Sequence, residues 1–396
     1  MASTIDVAIT VSLSTAENAR RTPMVSFVVL CYKLAHFLPE CVNSILSQTY
    51  TDFEVLIMDD RSPDNTAEVA NSFADPRVKY VLNEKNLGFL NNENEGLRLS
   101  RGKYIWIISA DDYLRRPYIL ERYVELMEKH PQVGYVFCSG VGVRSGHETG
   151  ILWPQRYGER DTIVNGRVFL KKLLYGCIVL APSAMARREC YEKISFFPLT
   201  LGRPGFQIDM TWGADWYLWC IFALWCDVAY FAEPMSCYRE HELSFSSIMT
   251  QSEQVERCVD ADLAVLWSVR QIAAEKGLNN VSKDCLRAIA HEYAQQGDSK
   301  FYRCGTACMS TSYFENSICS YTREESERRM IRARFYAAKG NKFFSQGDLQ
   351  IARNLYLTSL RYDPLSPKVF ARLVLSLGKH GVYARKILHS LRKMSS

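Results

Sequence analysis

Short apolar runs alternate with segments of helical periodicity between residues 24 and 140. The runs are rich in β-branched and aromatic residues and end at Gly, Pro, Asp or Asn, so they predict buried strands. Strands that alternate with helices at this spacing are typical of an α/β domain with a mostly parallel sheet flanked by helices. The predicted strands are Val25–Cys31, Phe53–Met58, Val78–Leu82, Gly102–Ile108 and Val133–Cys138, and the predicted helices are Leu38–Gln48, Asp64–Phe73, Asn92–Leu99 and Pro117–Lys129.

After residue 140 the pattern is mixed, and from Gln251 onward it is helical. It predicts helices at residues 169–174 and 215–225, an extended segment at 178–182, and closing strands at 229–232 and 236–239. We therefore expect four segments, which are an N-terminal extension (1–23), an α/β domain (24–250), a helical region (251–330) and an all-α basic extension (331–396).

The last segment resembles one tetratricopeptide-like helical hairpin between residues 331 and 391. Small residues stand where two helices would touch, and a proline follows the second helix. The residues that carry this resemblance are Ala338, Gly340, Phe343, Phe344, Gly347, Asp348, Ala352, Tyr356, Leu360, Asp363 and Pro364.

The composition is that of a globular protein without a membrane span. Residues 1–22 lack the basic start and apolar core of a signal peptide, and the apolar stretch 216–232 is interrupted by Asp227,. Thirteen cysteines contain no CxxC pair, which predicts buried thiols in a reducing compartment rather than a disulfide framework. We expect a cytoplasmic protein.

Charge is unevenly distributed along the chain. Residues 331–396 hold 13 Lys or Arg and 2 Asp, a net charge of +11, and the total of +5 leaves −6 for residues 1–330. A basic tail on an acidic body favours a polyanionic neighbour, such as the inner face of an anionic membrane or a lipid-linked pyrophosphate. The alternative is a solvated basic face without a specific partner.

Polar side chains follow three predicted strands where each ends: Tyr32, the pair Asp59–Asp60 and the pair Asp111–Asp112. Ligands of parallel α/β sheets bind at the carboxyl ends of strands. Adjacent carboxylates at such an end favour a hard divalent cation, Mn²⁺ or Mg²⁺, shared with a substrate phosphate. The alternative for Asp111 or Asp112 is a cap on the helix near Pro117.

The chain resembles the family 2 inverting glycosyltransferases, which have the GT-A fold of nucleotide-diphospho-sugar transferases. The match keeps its order over roughly residues 24–246, which makes it more specific than a lone acidic pair. It rests on VSFVVLCYK (25–33), FEVLIMDDRSPDNT (53–66), NLGFLNNENEGLRLSRGKYI (86–105), ISADD (108–112), GADWYLW (213–219) and YREHELSFS (238–246).

The resemblance implies where the nucleotide would bind. Tyr32 would place its ring against the base, Asp60 would accept a hydrogen bond from a base N–H, which favours UDP-linked donors, and Asp59 would support the loop or the ribose. The alternatives are a core tyrosine and an Asx-type turn.

The resemblance also implies roles around the phosphates and the reacting hydroxyl. Asp112 would bind the cation, and Asp111 would contact the ribose or the cation's water shell. His241 would reach the metal or the diphosphate, and Arg239 would contact phosphate or order the loop. Asp215 would be the general base that deprotonates the acceptor hydroxyl, with a helix N-cap as its alternative.

Five positions depart from the family pattern. Leu30 and Lys33 stand where Pro and Asn are common, and Arg61 stands where Gly is common. Glu93 replaces an Arg that helps to hold the diphosphate, and Ser109 replaces an Asp. Lys33, Arg61 or Arg239 would then neutralise the charge of the diphosphate, or the Glu93 side chain would point away from it.

The sequence is compatible with three functions. The first is a metal-dependent, non-processive inverting glycosyltransferase acting on a hydroxyl of a glycan, a lipid-linked glycan or a protein. The second is a nucleotidyltransferase, which would be expected to show a Gly-rich basic loop after the first strand. The third is a catalytically degenerate binding protein, which Glu93 and Ser109 favour and the three acidic sites oppose. Nucleic acid is not an expected partner.

Overall fold

The computed structural model describes residues 22–203, 206–242, 244–249, 255–295, 314–315, 322 and 324–377. Contacts divide the chain into two units. The first contains residues 22–166, 178–199 and 225–241, and the second contains 167–177, 200–224 and the described part of 242–396. The four-segment division expected from the sequence stays a prediction, and most of its N-terminal extension lies outside the described residues.

Four parallel strands in the order β3-β2-β1-β4 form one side of the first unit's sheet. The register pairs Cys31 with Asp59 and Leu30 with Ser109, so the carboxyl ends of β2, β1 and β4 lie side by side. The predicted α/β arrangement is confirmed, with strands β1 (Val25–Cys31), β2 (Phe53–Asp59), β3 (Val78–Leu82) and β4 (Tyr104–Ser109).

The helix after β1 buries an apolar face, whereas the helix after β3 also buries Asn92, Glu93 and Asn94. The first buries Leu38, Cys41, Val42 and Ile45, which recur at the three- and four-residue spacing of a helix face,. The connecting helices are α1 (Leu38–Leu46), α2 (Thr66–Asn71), α3 (Phe89–Leu99) and α4 (Ile119–Lys129).

Beyond β4 the sheet is mixed and continues in the order β9-β6-β12-β5, with β7 paired to β6 and β8 to β12. Where two closing strands are predicted, the structure has the single strand β12, whose register against β6 shifts between Phe231 and Ser236. Pro234 lies within that shift and cannot donate to a ladder, so the break in the apolar pattern is an irregularity inside one strand. These strands are β5 (Tyr113–Leu114), β6 (Val133–Arg144), β7 (His147–Trp153), β8 (Thr162–Val164), β9 (Met185–Arg187) and β12 (Asp227–Arg239).

The prediction of an extended segment at residues 178–182 is wrong, because the chain forms a short 3-10 turn at Ala181–Ser183. Two core aromatics satisfy the carbonyl oxygens of this turn. Trp106 Nε1 donates to Pro182 O at 3.0 Å, and Tyr123 Oη donates to Ser183 O at 3.0 Å. Such long-range partners are invisible in a local sequence pattern.

A row of stacked aromatic rings forms the centre of the first unit's core. Trp106 on β4 stacks on Phe27 with ring centroids 5.3 Å apart and on Tyr123 at 5.1 Å. Tyr123 stacks in turn on Phe231 of β12 at 5.3 Å. The stack ties strands from both parts of the sheet to α4, and so holds the strand ends that carry the acidic residues.

The second unit contains a small antiparallel pair of strands, β10 (Thr200–Arg203) and β11 (Phe206–Asp209), and several helices. None of the described helices is long and apolar enough to span a bilayer. The helices are α5 (Gly166–Leu173), α7 (Ala214–Phe222), α8 (Phe245–Met249), α9 (Val255–Glu275), α10 (Asn279–Gln295), α11 (Glu325–Gln346), α12 (Leu349–Tyr362) and α13 (Pro367–Leu375); the short α6 (Arg188–Glu192) belongs to the first unit.

The last three helices contain the predicted hairpin. Helix α11 ends at Gly347, whose φ is 95°, and α12 packs back against it. A Cβ atom on Gly340 would lie 2.7 Å from the Tyr356 ring, so the small residue allows the close approach. The helical hairpin is present, whereas its relation to tetratricopeptide repeats stays a prediction, and residues 378–391 lie outside the described part of the chain.

Gly102→Ala is expected to lower the free energy of unfolding by about 3 kcal/mol, because overpacking against backbone cannot be relieved by a rotamer change. A Cβ at this position would lie 2.5 Å from Ser26 N and 2.7 Å from Val25 C. Thermal and denaturant unfolding measure the loss. Gly158→Ala is the control, since its Cβ would meet only Arg160 O at 4.0 Å; equal stability of the two variants would contradict this packing account.

Candidate functional site

The acidic pair after β2 is held inside the first unit by hydrogen bonds. Asp60 is 3% exposed; its Oδ1 accepts from Leu87 N at 2.7 Å and Asn83 Nδ2 at 3.0 Å, and its Oδ2 accepts from Gly88 N at 2.9 Å. Asp60 thus fixes the loop that leads into α3. Its predicted contact with a nucleotide base stays a prediction.

Asp59 forms hydrogen bonds within the loop after β2, where an Asx-type turn was the alternative to a contact with the ribose. Its Oδ1 accepts from Ser62 N at 2.8 Å, and its Oδ2 accepts from Tyr80 Oη at 2.7 Å. Burial and then the Asp59 carboxylate hold the pKa of Tyr80 above its ordinary value. These contacts hold the loop after β2, and the roles predicted for Asp59 at a nucleotide stay predictions.

The residues after β1 and β2 include two exposed cations in left-handed backbone conformation. Lys33 and Arg61 both have φ of 61°, a region that Gly and Asn adopt far more readily than long side chains. These are the positions where the family has Asn and Gly. Tyr32 is 42% exposed, so it is not a core tyrosine, and Lys33 Nζ lies 5.1 Å from its ring centre.

The acidic pair after β4 is enclosed by the end of β12. The short strand β5 pairs antiparallel with β12, and Arg239 N continues this contact by donating to Asp112 Oδ1 at 2.8 Å. Asp112 is 5% exposed. Burial and then the Asp111 carboxylate raise the pKa of Asp112 well above its ordinary value. The N-cap alternative fails, since Tyr118 occupies the N-cap of α4.

Arg239 orders the loop around these carboxylates. Its Nε donates to Asp111 O at 2.8 Å, and its Nη2 donates to Glu40 of α1. The guanidinium carbon lies 4.4 Å from the Phe37 ring centre. These contacts use the side chain inside the protein, which favours the loop-ordering role predicted for Arg239 over a phosphate contact.

His241 meets Asp111, not Asp112. Its Nε2 lies 2.9 Å from Asp111 Oδ2, and the other oxygen, Asp111 Oδ1, is buried with no hydrogen-bond partner. Two neighbouring ligands of an octahedral Mg²⁺ at about 2.1 Å would lie roughly 3 Å apart. The donor types suit a divalent cation, and Asp111, Asp112 and His241 are the candidate donors,.

This fit is incomplete without a substrate. No group of three or more His, Cys, Asp or Glu side chains converges on a metal position within the described ranges. Mg²⁺ and Mn²⁺ commonly take one or two carboxylates from the protein and further oxygens from a phosphate. The metal roles of Asp112 and His241 stay predictions, and Asp111 joins them as a candidate.

Asp215 belongs to the second unit and is the second residue of α7. Its Oδ1 accepts from Trp216 N at 2.7 Å, and the N-cap is Gly213, with φ of 74°, so Asp215 is not a helix cap. Burial raises the pKa of Asp215, although two backbone hydrogen bonds oppose the shift. Its predicted meeting with Asp60 and Asp112 around one donor stays a prediction.

Glu93, the most unusual departure from the family pattern, is an interior residue. It is 6% exposed on α3. Burial and then the Glu93 carboxylate raise the pKa of Tyr191, which is 1% exposed. Its negative charge therefore lies beside Tyr191 in the interior, which agrees with the expectation that it points elsewhere than toward a diphosphate.

Residues 26–194 match the model of Glycosyl transferase family 2. The match covers less than half of the chain, and these residues are similar to family 2 glycosyltransferases. The matched residues reach from β1 to β9 and include both acidic pairs, whereas Asp215, Arg239 and His241 lie beyond them.

Two relatives by sequence are uncharacterized glycosyltransferases. One from Haemophilus influenzae is 26% identical over 244 residues, which are 58% of this chain and 70% of the relative. One from Rickettsia typhi is 24% identical over 308 residues, or 77% of this chain and 90% of the relative. A third, EpsJ of Bacillus subtilis, is 34% identical over 118 residues, and the match spans only 33% of EpsJ.

A similar solved structure is that of S. aureus TarS 1-349 in complex with UDP-GlcNAc, with a TM-score of 0.52 and 17% identity. The superposition covers 91% of each chain. This likeness shows the fold alone. The predicted fold is confirmed, as a GT-A-like mostly parallel sheet flanked by helices, followed by a helical region.

Sequence reasoning missed Glu40 and Phe37, which hold the Arg239 side chain. No local signal could find them, because Glu40 and Arg239 lie 199 positions apart. The sequence analysis also missed the hairpin of β6 and β7, although the turn residues between these strands could have indicated it. Ser145 and Gly146 both have positive φ, as a two-residue hairpin turn requires,.

Arg61→Gly is expected to raise the free energy of unfolding by about 0.5–1 kcal/mol, because Gly relieves the left-handed strain and loses only part of that gain to unfolded-state entropy. Arg61→Ala removes the same cation but keeps the strained φ, so it is the matched control and should not be stabilised. Thermal unfolding of both variants is the measurement. If Ala stabilises as much as Gly, the cation and not the backbone is the source of the effect.

Proposed function

We propose that the chain is a metal-dependent inverting glycosyltransferase that moves one sugar from a nucleotide-diphosphate sugar to a hydroxyl. The observation that carries the proposal is the position of Asp111 and Asp112 after β4, where His241, which follows β12, meets Asp111. The match of residues 26–194 to Glycosyl transferase family 2 supports glycosyl transfer.

The donor would bind at the joined carboxyl ends of β2, β1 and β4. The exposed ring of Tyr32 offers a face for the base. A UDP-linked donor is favoured because Asp60 Oδ2, which accepts a hydrogen bond from Gly88 N, has a second lone pair that could accept from a base N–H,. Lys33 and Arg61 are exposed cations at the same edge, and they would take over charge neutralisation that Glu93 does not supply.

A divalent cation held by Asp111, Asp112 and His241 would offset charge on the departing nucleoside diphosphate. Arg239 N holds the Asp112 carboxylate through its bond to Oδ1, and Arg239 Nε holds the main chain at Asp111 through its bond to the carbonyl oxygen. Preorganised charges of this kind need no rearrangement as the leaving group separates.

Asp215 would accept the proton of the attacking acceptor hydroxyl. A carboxylate with a raised pKa is a better base near neutral pH than an ordinary Asp. A single displacement assisted by one base inverts the anomeric configuration, since the hydroxyl attacks from the face opposite to the leaving group.

A panel of UDP-, GDP- and dTDP-linked sugars tests the proposal, with release of nucleoside diphosphate measured with Mn²⁺ and with EDTA. We expect hydrolysis or transfer with a UDP-sugar that EDTA abolishes and Mn²⁺ restores. Tight Mn²⁺-dependent nucleotide binding without turnover, in the presence of candidate acceptors, would favour the binding-protein alternative instead.

The basic extension is proposed to contact an anionic membrane. Helix α13 exposes Lys368 and Arg372 beside Phe370, which is 60% exposed, and Val374, which is 39% exposed. Basic and apolar side chains on one short helix are typical of interfacial binding. Much of the remaining basic charge lies in residues 378–396, outside the described part of the chain.

Replacing Lys368 and Arg372 with Glu is expected to reduce binding to phosphatidylglycerol vesicles at least about tenfold, since each cation near such a surface contributes roughly 1 kcal/mol. Co-sedimentation at low and high salt measures the effect. Replacing Lys129 and Arg160 of the first unit with Glu makes the same change in net charge and is the control. Binding that is indifferent to salt and to these changes would reject membrane contact.

A further inference from the structure

Two cysteine thiols touch each other where the chain enters β12. Cys190 on α6 and Cys226, directly before β12, have sulfur atoms 3.8 Å apart. Both residues belong to the first unit. A disulfide bond is about 2.05 Å long, so the sulfurs would need to approach by less than about 2 Å. A movement of that size is within the range of side-chain rotation.

Gly134 of β6 makes room for the sulfur pair. A Cβ at this position would lie 2.4 Å from Cys226 Cβ, 2.8 Å from Cys226 Sγ and 3.2 Å from Cys190 Sγ. The carbonyl oxygen of Gly134 lies 3.8 Å from Cys190 Sγ and is a second acceptor within reach of this thiol. The missing side chain of Gly134 is therefore what allows the two thiols to meet at this point.

The two thiols differ in access. Cys190 is fully buried, whereas Cys226 is partly exposed. The hydrogen bond from Cys190 and then the Lys193 cation lower the pKa of Cys226 to about 7, against burial and the Glu189 carboxylate, with a further lowering from Arg187. A peroxide would thus meet Cys226 first, and Cys190 is placed as the resolving thiol.

We propose that Cys190 and Cys226 are a redox modification site that forms a reversible disulfide on exposure to a peroxide. The Cys226 thiolate attacks one peroxide oxygen, the O–O bond breaks, and Cys226 sulfenic acid and hydroxide form. The Cys190 sulfur then displaces the sulfenic oxygen, which leaves as water. In sum, two thiols and one hydrogen peroxide give one disulfide and two waters, and a dithiol reductant reverses the reaction.

The disulfide would close a loop around residues 191–225. This loop includes residues 200–224, which belong to the second unit and contain Asp215. Closing a loop removes conformations from the unfolded chain, so the oxidised protein should unfold at a higher temperature.

The test treats the reduced full-length chain with hydrogen peroxide, blocks remaining thiols with N-ethylmaleimide, and identifies cross-linked peptides by fragmentation mass spectrometry. We expect a Cys190–Cys226 cross-link that dithiothreitol removes, and a thermal midpoint several degrees higher after oxidation. Cys258→Ser, a buried cysteine of the second unit, is the matched control and should keep both effects.

Cys226→Ser should lose the cross-link and the thermal shift together. Cys190→Ser should leave a sulfenic acid on Cys226 that dimedone traps, and this readout survives even where the disulfide cannot form. Recovery of both cysteines as alkylated thiols, at a peroxide dose that oxidises the exposed Cys177, overturns the proposal. A cross-link of Cys226 to any other cysteine overturns it as well.

Discussion

Asp215→Asn is expected to reduce turnover about 10³-fold while nucleotide binding stays within a factor of two, because a general base contributes to the chemical step and not to donor affinity. Asn keeps the size of the side chain and an oxygen to accept the Trp216 N–H. The helix start should therefore survive the change. Steady-state kinetics and UDP titration by calorimetry separate kcat from binding.

The pH profile gives this prediction a second readout. The Asp215 carboxylate must be ionised to accept a proton, and burial raises its pKa. Activity of the native chain should thus fall as the pH drops through a value above that of an ordinary Asp, and the residual activity of the Asn variant should lack this limb. Glu275→Gln, an exposed carboxylate of the same unit, is the control. An unchanged rate in Asp215→Asn removes the base assignment.

Asp112→Asn is expected to reduce turnover by about 10²-fold or more and to weaken Mn²⁺-dependent UDP binding in parallel. An amide supplies one neutral oxygen where the cation and its phosphates need a carboxylate. UDP binding in EDTA should change little, so the ratio of affinities with and without Mn²⁺ is the informative quantity. The fold should persist, because Asn keeps an acceptor for Arg239 N.

Glu68→Gln on α2 is the matched control for Asp112→Asn, since Glu68 is an exposed carboxylate of the same unit. It should behave as the native chain in all three assays. A Glu68 variant that loses Mn²⁺ dependence to the same extent would show a general electrostatic effect. If Asp112→Asn keeps the native Mn²⁺ dependence of UDP binding, Asp112 is not a metal ligand, and Asp111 and His241 are the remaining candidates.

The parallel half of the sheet was predictable because its strands are short, apolar and separated by amphipathic helices. The predicted bounds of β1 and β3 are those of the structure. The mixed half of the sheet was harder to predict because its strands lack a continuous apolar pattern. Strand β12 contains Glu233 and Pro234, which interrupt its apolar pattern without ending its pairing. A two-residue strand such as β5 has no periodicity to detect.

The candidate site could also be predicted only in part from the sequence. Carboxylates at strand ends could be found from sequence, since parallel strands present their carboxyl ends together. Their partners could not, because Arg239 and His241 reach Asp111 and Asp112 only through the pairing of β12 with β5. Only the Asn and Gly that are common at these positions in the family that the chain resembles indicated the left-handed backbone of Lys33 and Arg61.

Metal and nucleotide are proposed to bind together at the end of β4, and calorimetric titration of UDP into the native chain measures this coupling. With Mn²⁺ present, we predict binding at least about tenfold tighter than in EDTA, and reciprocally tighter Mn²⁺ binding when UDP is present. Equal UDP affinity with Mn²⁺ and with EDTA would show that no metal joins the nucleotide at this site.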